Sequence, residues 1–99
     1  MQDRSLTVTI CGKRWRLKFT RLRGEKHGWC ESPSKPAKQI LINSQRRSRR
    51  RVFEDLIHEA VHAADWSKAE EWVTEFAQDL ARLLDRVEAL GIIGELSDE

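Results

Sequence analysis

Residues 58–62 read His-Glu-Ala-Val-His. Two histidines four positions apart lie on one face of a helix, so both imidazoles can reach a single metal ion. Glu59 is offset by one position and can approach a water on that ion without ligating it. This is the H-E-x-x-H pattern. Zinc takes imidazole and carboxylate ligands, and a hydrolytic site keeps one position for water, whose pKa the metal lowers. The spacing therefore points to metal-assisted hydrolysis, with His58 and His62 as ligands and Glu59 as general base.

Such a site needs a third protein ligand. Glu70, Glu71 and Glu75 all fall early in the next helical segment. On a helical wheel Glu70 lies at the edge of the apolar face, three residues before Val73 and seven before Ala77, whereas Glu71 and Glu75 point to solvent. Glu70 is the expected ligand. Ser67 and Glu70 also match a capping box, a competing role for the same carboxylate. Asp65 is the rival ligand. A third ligand on the helix of His58 and His62 reaches the ion poorly, so Asp65 is read as a partner that orients a ligand histidine.

The elements that must position these groups follow from periodicity. Residues 6–11 and 15–20 alternate apolar and polar, which predicts two strands, and Gly12-Lys13 between them predicts a hairpin. Arg14, Arg16 and Lys18 then share the wetter face. Gly24, Gly28, Pro33 and Pro36 mark loops, with a short strand near Trp29-Cys30-Glu31. Gln39–Asn43 is a compact strand candidate, and Asn43 and Ser44 offer helix-capping side chains. From Ser48 to Asp65 the apolar residues fall at helical spacing, with the apolar face centred near Leu56, Ala60 and Ala64. A second helix follows, with Val73, Phe76, Ala77, Leu80, Leu83, Leu84 and Val87 on one face and Gly91 as its terminator. The expected class is α+β: a small antiparallel N-terminal sheet of three to four strands, then two long helices, the first bearing the histidines. With 99 residues, the expectation is one domain spanning 1–99.

Gly28-Trp29-Cys30, the strand 39–43, Leu56 to Ala63 (L-I-H-E-x-x-H-A) and Glu70-x-x-Val73-x-x-Phe76-Ala77 together resemble minimal gluzincin-type metallopeptidases. The nearest likeness is to SprT-like and ImmA/IrrE-type domains and to small phage and bacterial proteins of that kind. The resemblance covers about residues 28–84. It implies a zincin-like fold and one zinc ion held by His58, His62 and Glu70, with Glu59 as general base of a zinc endopeptidase. It also implies that 39–43 is an edge strand pairing with an extended peptide substrate. One departure matters. Zinc peptidases often add a Tyr, His or Arg to stabilise the oxyanion. This chain has no Tyr, which leaves His27, in a glycine-flanked loop, as the remaining histidine for that role.

The second strong signal is the run Arg46-Arg47-Ser48-Arg49-Arg50-Arg51. Arginines near a helix start oppose the helix dipole, so helix stability does not explain them. They read as a basic patch for phosphate, which Arg14, Arg16 and Lys18 would extend, with Trp15 or Trp29 for base stacking. This is the alternative function: a nucleic-acid-binding or interaction module with a structural or vestigial metal. Trp66 and Trp72 are expected to be packing residues.

The net charge of +2 conceals a division. Residues 1–51 hold fifteen Lys+Arg against three Asp+Glu (+12), and residues 52–99 hold three against thirteen (−10). Such halves can bind an anion or fold against each other. With no long apolar segment, a membrane span is excluded. Cys11 and Cys30 are too few for a secreted disulfide framework and are expected to be small buried strand residues. The N-terminus lacks a signal-like apolar stretch, and a cytoplasmic protein is the simplest expectation.

Overall fold

The computed structural model describes residues 4–24, 27–45, 47–92 and 94. Four strands precede two helices: β1 (Arg4–Ile10), β2 (Lys13–Thr20), β3 (Gly28–Cys30), β4 (Gln39–Asn43), α1 (Arg49–Ala64) and α2 (Glu70–Ala89). The expected α+β class and element order hold.

The hairpin turn lies one residue earlier than expected. Ile10 pairs with Lys13, and the two turn residues Cys11 and Gly12 both have positive φ, 49° and 78°. Positive φ at both central positions is the primed turn whose twist suits adjacent strands. Cys11 is consequently exposed rather than buried in a strand.

The sheet is mixed, not wholly antiparallel. Its strand order is β1-β2-β4-β3, with β2 and β4 parallel and the other two pairings antiparallel. The parallel pairing follows from the long excursion through β3, which brings the chain back beside β2 in the same direction. It also corrects the expected role of 39–43. Strand β4 is hydrogen-bonded on both sides, and the edges are β1 and β3.

Register sorts the side chains onto two faces. Val8 lies beside Trp15, Leu17 beside Ile40, Phe19 beside Ile42, and Ile40 beside Cys30. These residues form the core with Leu56 and Ala63 of α1. Trp15 is 1% exposed. Burial of an indole of 150–250 Å² removes on the order of 4–6 kcal/mol of apolar surface from water before entropy is counted. Its Nε1 finds no acceptor among the described residues, which offsets about 1–3 kcal/mol of that gain.

Helix α1 covers one face of the sheet, and α2 packs on α1. Ser48, not Asn43 or Ser44, is the N-cap of α1, its Oγ accepting from the Arg51 N–H. Asn43 instead organises the loop, its Oδ1 accepting from the Gln45 N–H at 3.1 Å. The sheet-facing side of α1 runs through Leu56, Glu59 and Ala63. It is rotated from the expected centre, since Ala64 is exposed. The seam of α2 is narrower than its apolar periodicity suggests. Val73, Ala77 and Ala81 are buried, an i, i+4 row of small residues permitting close helix approach, whereas Phe76, Leu83 and Leu84 are exposed. The expected packing residues Trp66 and Trp72 are also exposed, at 50% and 44%. Gly91, φ 70°, terminates α2 as expected, its N–H donating to the Glu88 carbonyl. Among the described residues no helix is long and apolar enough to cross a membrane.

Candidate metal centre

Helix α1 carries both histidines near its C-terminal end, one turn apart, with ring centroids 4.9 Å from each other. The turn after α1 reverses the chain so that the first residue of α2 faces them. His58 Nε2 lies 2.9 Å from Glu70 Oε2, and His62 Nε2 lies 2.9 Å from Glu70 Oε1. One ligand atom from each residue falls within 4.8 Å of the others.

The donor chemistry of this cluster fits a cation. Two imidazole nitrogens and a carboxylate meet at one place, and lone pairs turned to a common point repel unless a proton or metal lies between them. Ligand bonds of about 2.0–2.2 Å place the atoms of a four-coordinate zinc within this separation. Without metal, the same geometry makes Glu70 a shared acceptor for two imidazole N–H groups.

The interhelix turn places Glu70 and its competitors differently. The expected capping box does not form: Ala69 is the N-cap of α2, and no side chain caps it. Ser67 Oγ donates instead to Asp65 Oδ1 at 2.6 Å, and the Ser67 N–H donates to the same oxygen at 3.1 Å. This arrangement frees Glu70 to turn toward the histidines. It also occupies Asp65, so the expected contact between Asp65 and a ligand histidine is replaced by an Asx turn. The two Ser67 bonds hold the Asp65 carboxyl below its usual range. Glu71 and Glu75 are exposed, as expected.

Glu59 is the one ionisable residue buried in α1. It lies against β3, where a Cβ on Gly28 would sit 2.9 Å from Glu59 Cγ and 2.9 Å from its Oε2. The carboxyl is pushed up to about 7 by burial first, then by the charges of Glu70 and Asp55. A base held near neutrality can both take and return a proton. The role of Gly28 was not read from the sequence, although a glycine within a strand is itself a signal of close approach. Gly28, Trp29, Cys30, His58, Glu59, His62, Trp66 and Glu70 line a cleft of about 490 Å³, within the range of small-ligand sites. Trp66 contributes an apolar wall, its ring 5.9 Å from that of His62.

His27 is not at the cleft. Its Nδ1 lies 3.0 Å from Arg47 Nη1, and its carbonyl accepts from the Asn43 N–H. The expected oxyanion role therefore has no geometric basis for this residue.

The arginine run is divided. Arg46 lies outside the described residues. Arg47 is half-buried, paired with Asp55 and donating to the Asn43 carbonyl at 2.9 Å. Arg49 pairs with Asp85, at 3.1 Å, and with Glu88. Arg50 and Arg51 are exposed. Part of the +12 half thus folds against the −10 half.

No family model, curated protein or solved structure matches this chain.

Proposed function

We propose that this chain is a zinc-dependent endopeptidase of the minimal gluzincin type. The carrying observation is the convergence of His58, His62 and Glu70 within 4.8 Å beside the buried carboxyl of Glu59. His58, His62 and Glu70 would hold the ion. Zinc, when bound, supplies a Lewis acid that acidifies water and polarises a carbonyl. Glu59 takes the proton of the attacking water and returns it to the leaving amine nitrogen.

Strand β3 offers the substrate a template. The Asn43 N–H donates to the His27 carbonyl and the Glu31 N–H to the Gln39 carbonyl, so alternate residues of this strand bond β4. By the antiparallel alternation, Gly28 and Cys30 turn their N–H and C=O groups to the open edge. An extended peptide pairing there passes over Glu59 and the cluster. The two unpaired cysteines favour a reducing, cytoplasmic setting.

The reading that makes Arg46–Arg51 a nucleic-acid module has less support, because Asp55, Asp85 and Glu88 engage Arg47 and Arg49.

The test is elemental analysis combined with hydrolysis of a denatured protein substrate. One zinc per chain is expected in wild type and in Glu71→Ala, with the metal lost from Glu70→Ala. Glu59→Gln should retain metal and lose hydrolysis. Equal cleavage by Glu59→Gln, or equal metal in Glu70→Ala, overturns the assignment.

A further inference from the structure

The sheet has a second face, opposite α1. Helix α1 occupies the core side and α2 rests on α1, so neither helix covers the outer side. Alternation places Arg14, Arg16 and Lys18 of β2 on this face, about 6.6 Å apart along the strand. Register extends the last row sideways: Lys18 lies beside Leu41, and Leu41 beside Trp29. Trp29 is 38% exposed and lies two strands from Lys18, about 9.6 Å across the sheet.

Among the described residues the charge on this surface is of one sign. No strand contains an aspartate or glutamate, and Glu31 is the one carboxylate among the described residues before α1. Arg16 Nη2 donates to the neutral Ser5 hydroxyl at 3.0 Å. No described carboxylate pairs with Arg14 or Arg16. These two arginines, with Lys38 and Gln39, also border a cleft of about 360 Å³ at one end of the face. The arginines of the 46–51 run behave differently, since two of them, Arg47 and Arg49, are neutralised within the chain.

We infer that the outer face of the sheet binds single-stranded nucleic acid, with phosphates along Arg14, Arg16 and Lys18 and a base stacked on Trp29. A row of cations matches a polyanion with repeating charge. The exposed indole, two strands across from the Lys18 end of that row, adds what an acidic peptide does not use, a stacking platform for an unpaired base. A duplex keeps its bases inside and cannot engage that platform. The cation row lies on the side of the sheet away from α1, while Trp29, at the β3 edge, also borders the metal cleft. The inference does not depend on peptidase activity.

The test is fluorescence anisotropy of the full, metal-loaded chain with a labelled single-stranded DNA of mixed sequence, across a salt series. Three phosphate contacts predict a log–log slope of about −2, a loss of about twentyfold in affinity from about 50 to about 200 mM salt. Arg14→Gln with Arg16→Gln should reduce that loss to about threefold, whereas the paired lysine variant keeps the wild-type slope. Trp29→Ala should weaken binding about five- to a hundredfold without altering the slope, and Trp29→Phe should retain most of it. Arg50→Gln with Arg51→Gln should change neither. The inference is overturned if the Arg14/Arg16 and Trp29 variants bind as wild type, or if the loss appears in the Arg50/Arg51 variant. Equally tight binding, through the same residues, to polyglutamate or to phosphatidylserine vesicles also overturns it, as does equal affinity for duplex DNA.

Discussion

The segments His58–His62 and Arg46–Arg51 are the two strongest signals in the sequence, and the fold treats them in opposite ways. The histidine segment lies inside α1, where helix geometry fixes the relative positions of His58 and His62 before any tertiary contact forms. Tertiary structure had only to bring Glu70 across, and the turn held by Asp65 and Ser67 does so. The arginine segment straddles a loop and a helix start. Like charges carry no mutual geometry, so individual arginines go to whatever carboxylate the fold brings near: Asp55 for Arg47, Asp85 and Glu88 for Arg49. A motif whose spacing encodes a shape survives folding as a unit; one that encodes only charge is redistributed.

The largest effect that would break this comparison is at Glu59. Glu59→Gln removes the proposed proton acceptor while preserving size, and hydrolysis should fall by about 10²–10⁴-fold with zinc content unchanged. The metal-free variant should be no less stable than metal-free wild type, because burial disfavours the charged carboxyl. Thermal melts of the two apo-proteins near neutral pH measure this. A large loss of stability would mean that Glu59 serves the fold rather than the chemistry.

Gly28→Ala tests the same site from the strand side. The new methyl would meet Glu59 Cγ and Oε2 at 2.9 Å. Either β3 or the carboxyl must shift, and a displacement of about 1 Å at a catalytic group costs on the order of 10²-fold in rate. The expected outcome is a fall in kcat/KM of that order with zinc still bound. Unchanged kcat/KM would show that the position of Glu59 against β3 is not needed.

The arginines should differ in stability. Arg47→Met breaks a half-buried pair and leaves Asp55 and the Asn43 carbonyl without their donor, a loss of about 2–3 kcal/mol. Arg50→Met, at an exposed position, should stay within about 0.5 kcal/mol of wild type. Urea unfolding of the two variants, read for a change in midpoint at constant slope, makes the comparison. Equal effects would return the run to a single solvated surface and remove the distinction.

What could be read in advance follows the same division. Period-two alternation located β1 and β2, and helical spacing located α1 and α2, because these patterns are local. The wheel argument favoured Glu70 over Glu71 and Glu75; all three are exposed, and it is proximity to His58 and His62 that sets Glu70 apart. What stayed hidden depended on distant pairing. The assignment of 39–43 to an edge failed because strand order is set by how the chain returns after β3, which no local signal carries. The capping box at Ser67 failed because Asp65, two residues earlier, competes for the same hydroxyl. The expected burial of Phe76, Leu83 and Leu84 failed because, among the described residues, α2 packs mainly on α1 and fully buries the Val73–Ala77–Ala81 row.

The two cysteines give the smallest test, and one that contrasts the hairpin with the core. Cys11 sits exposed in the turn, and Cys30 is 6% exposed at the edge strand. Burial, with Glu59 and Glu31 nearby, pushes the Cys30 thiol from 9.0 up to about 12. A thiol reagent at pH 8 should therefore modify Cys11 promptly and Cys30 only on unfolding. The raised value also fixes a sign. The neutral thiol is favoured in the fold, so its contribution to stability is complete below about pH 9 and is lost as pH rises from there toward 12. By pH 10 the loss attributable to Cys30 should be about 1 kcal/mol. The chain has no Tyr to titrate in the same range, which leaves the lysines as the main background. Cys30→Ala should flatten the stability profile between pH 9 and 10, whereas Cys11→Ala should not. An unchanged profile in Cys30→Ala would mean that the β3 edge opens to solvent, and a strand that opens so readily would be a poor template for a substrate.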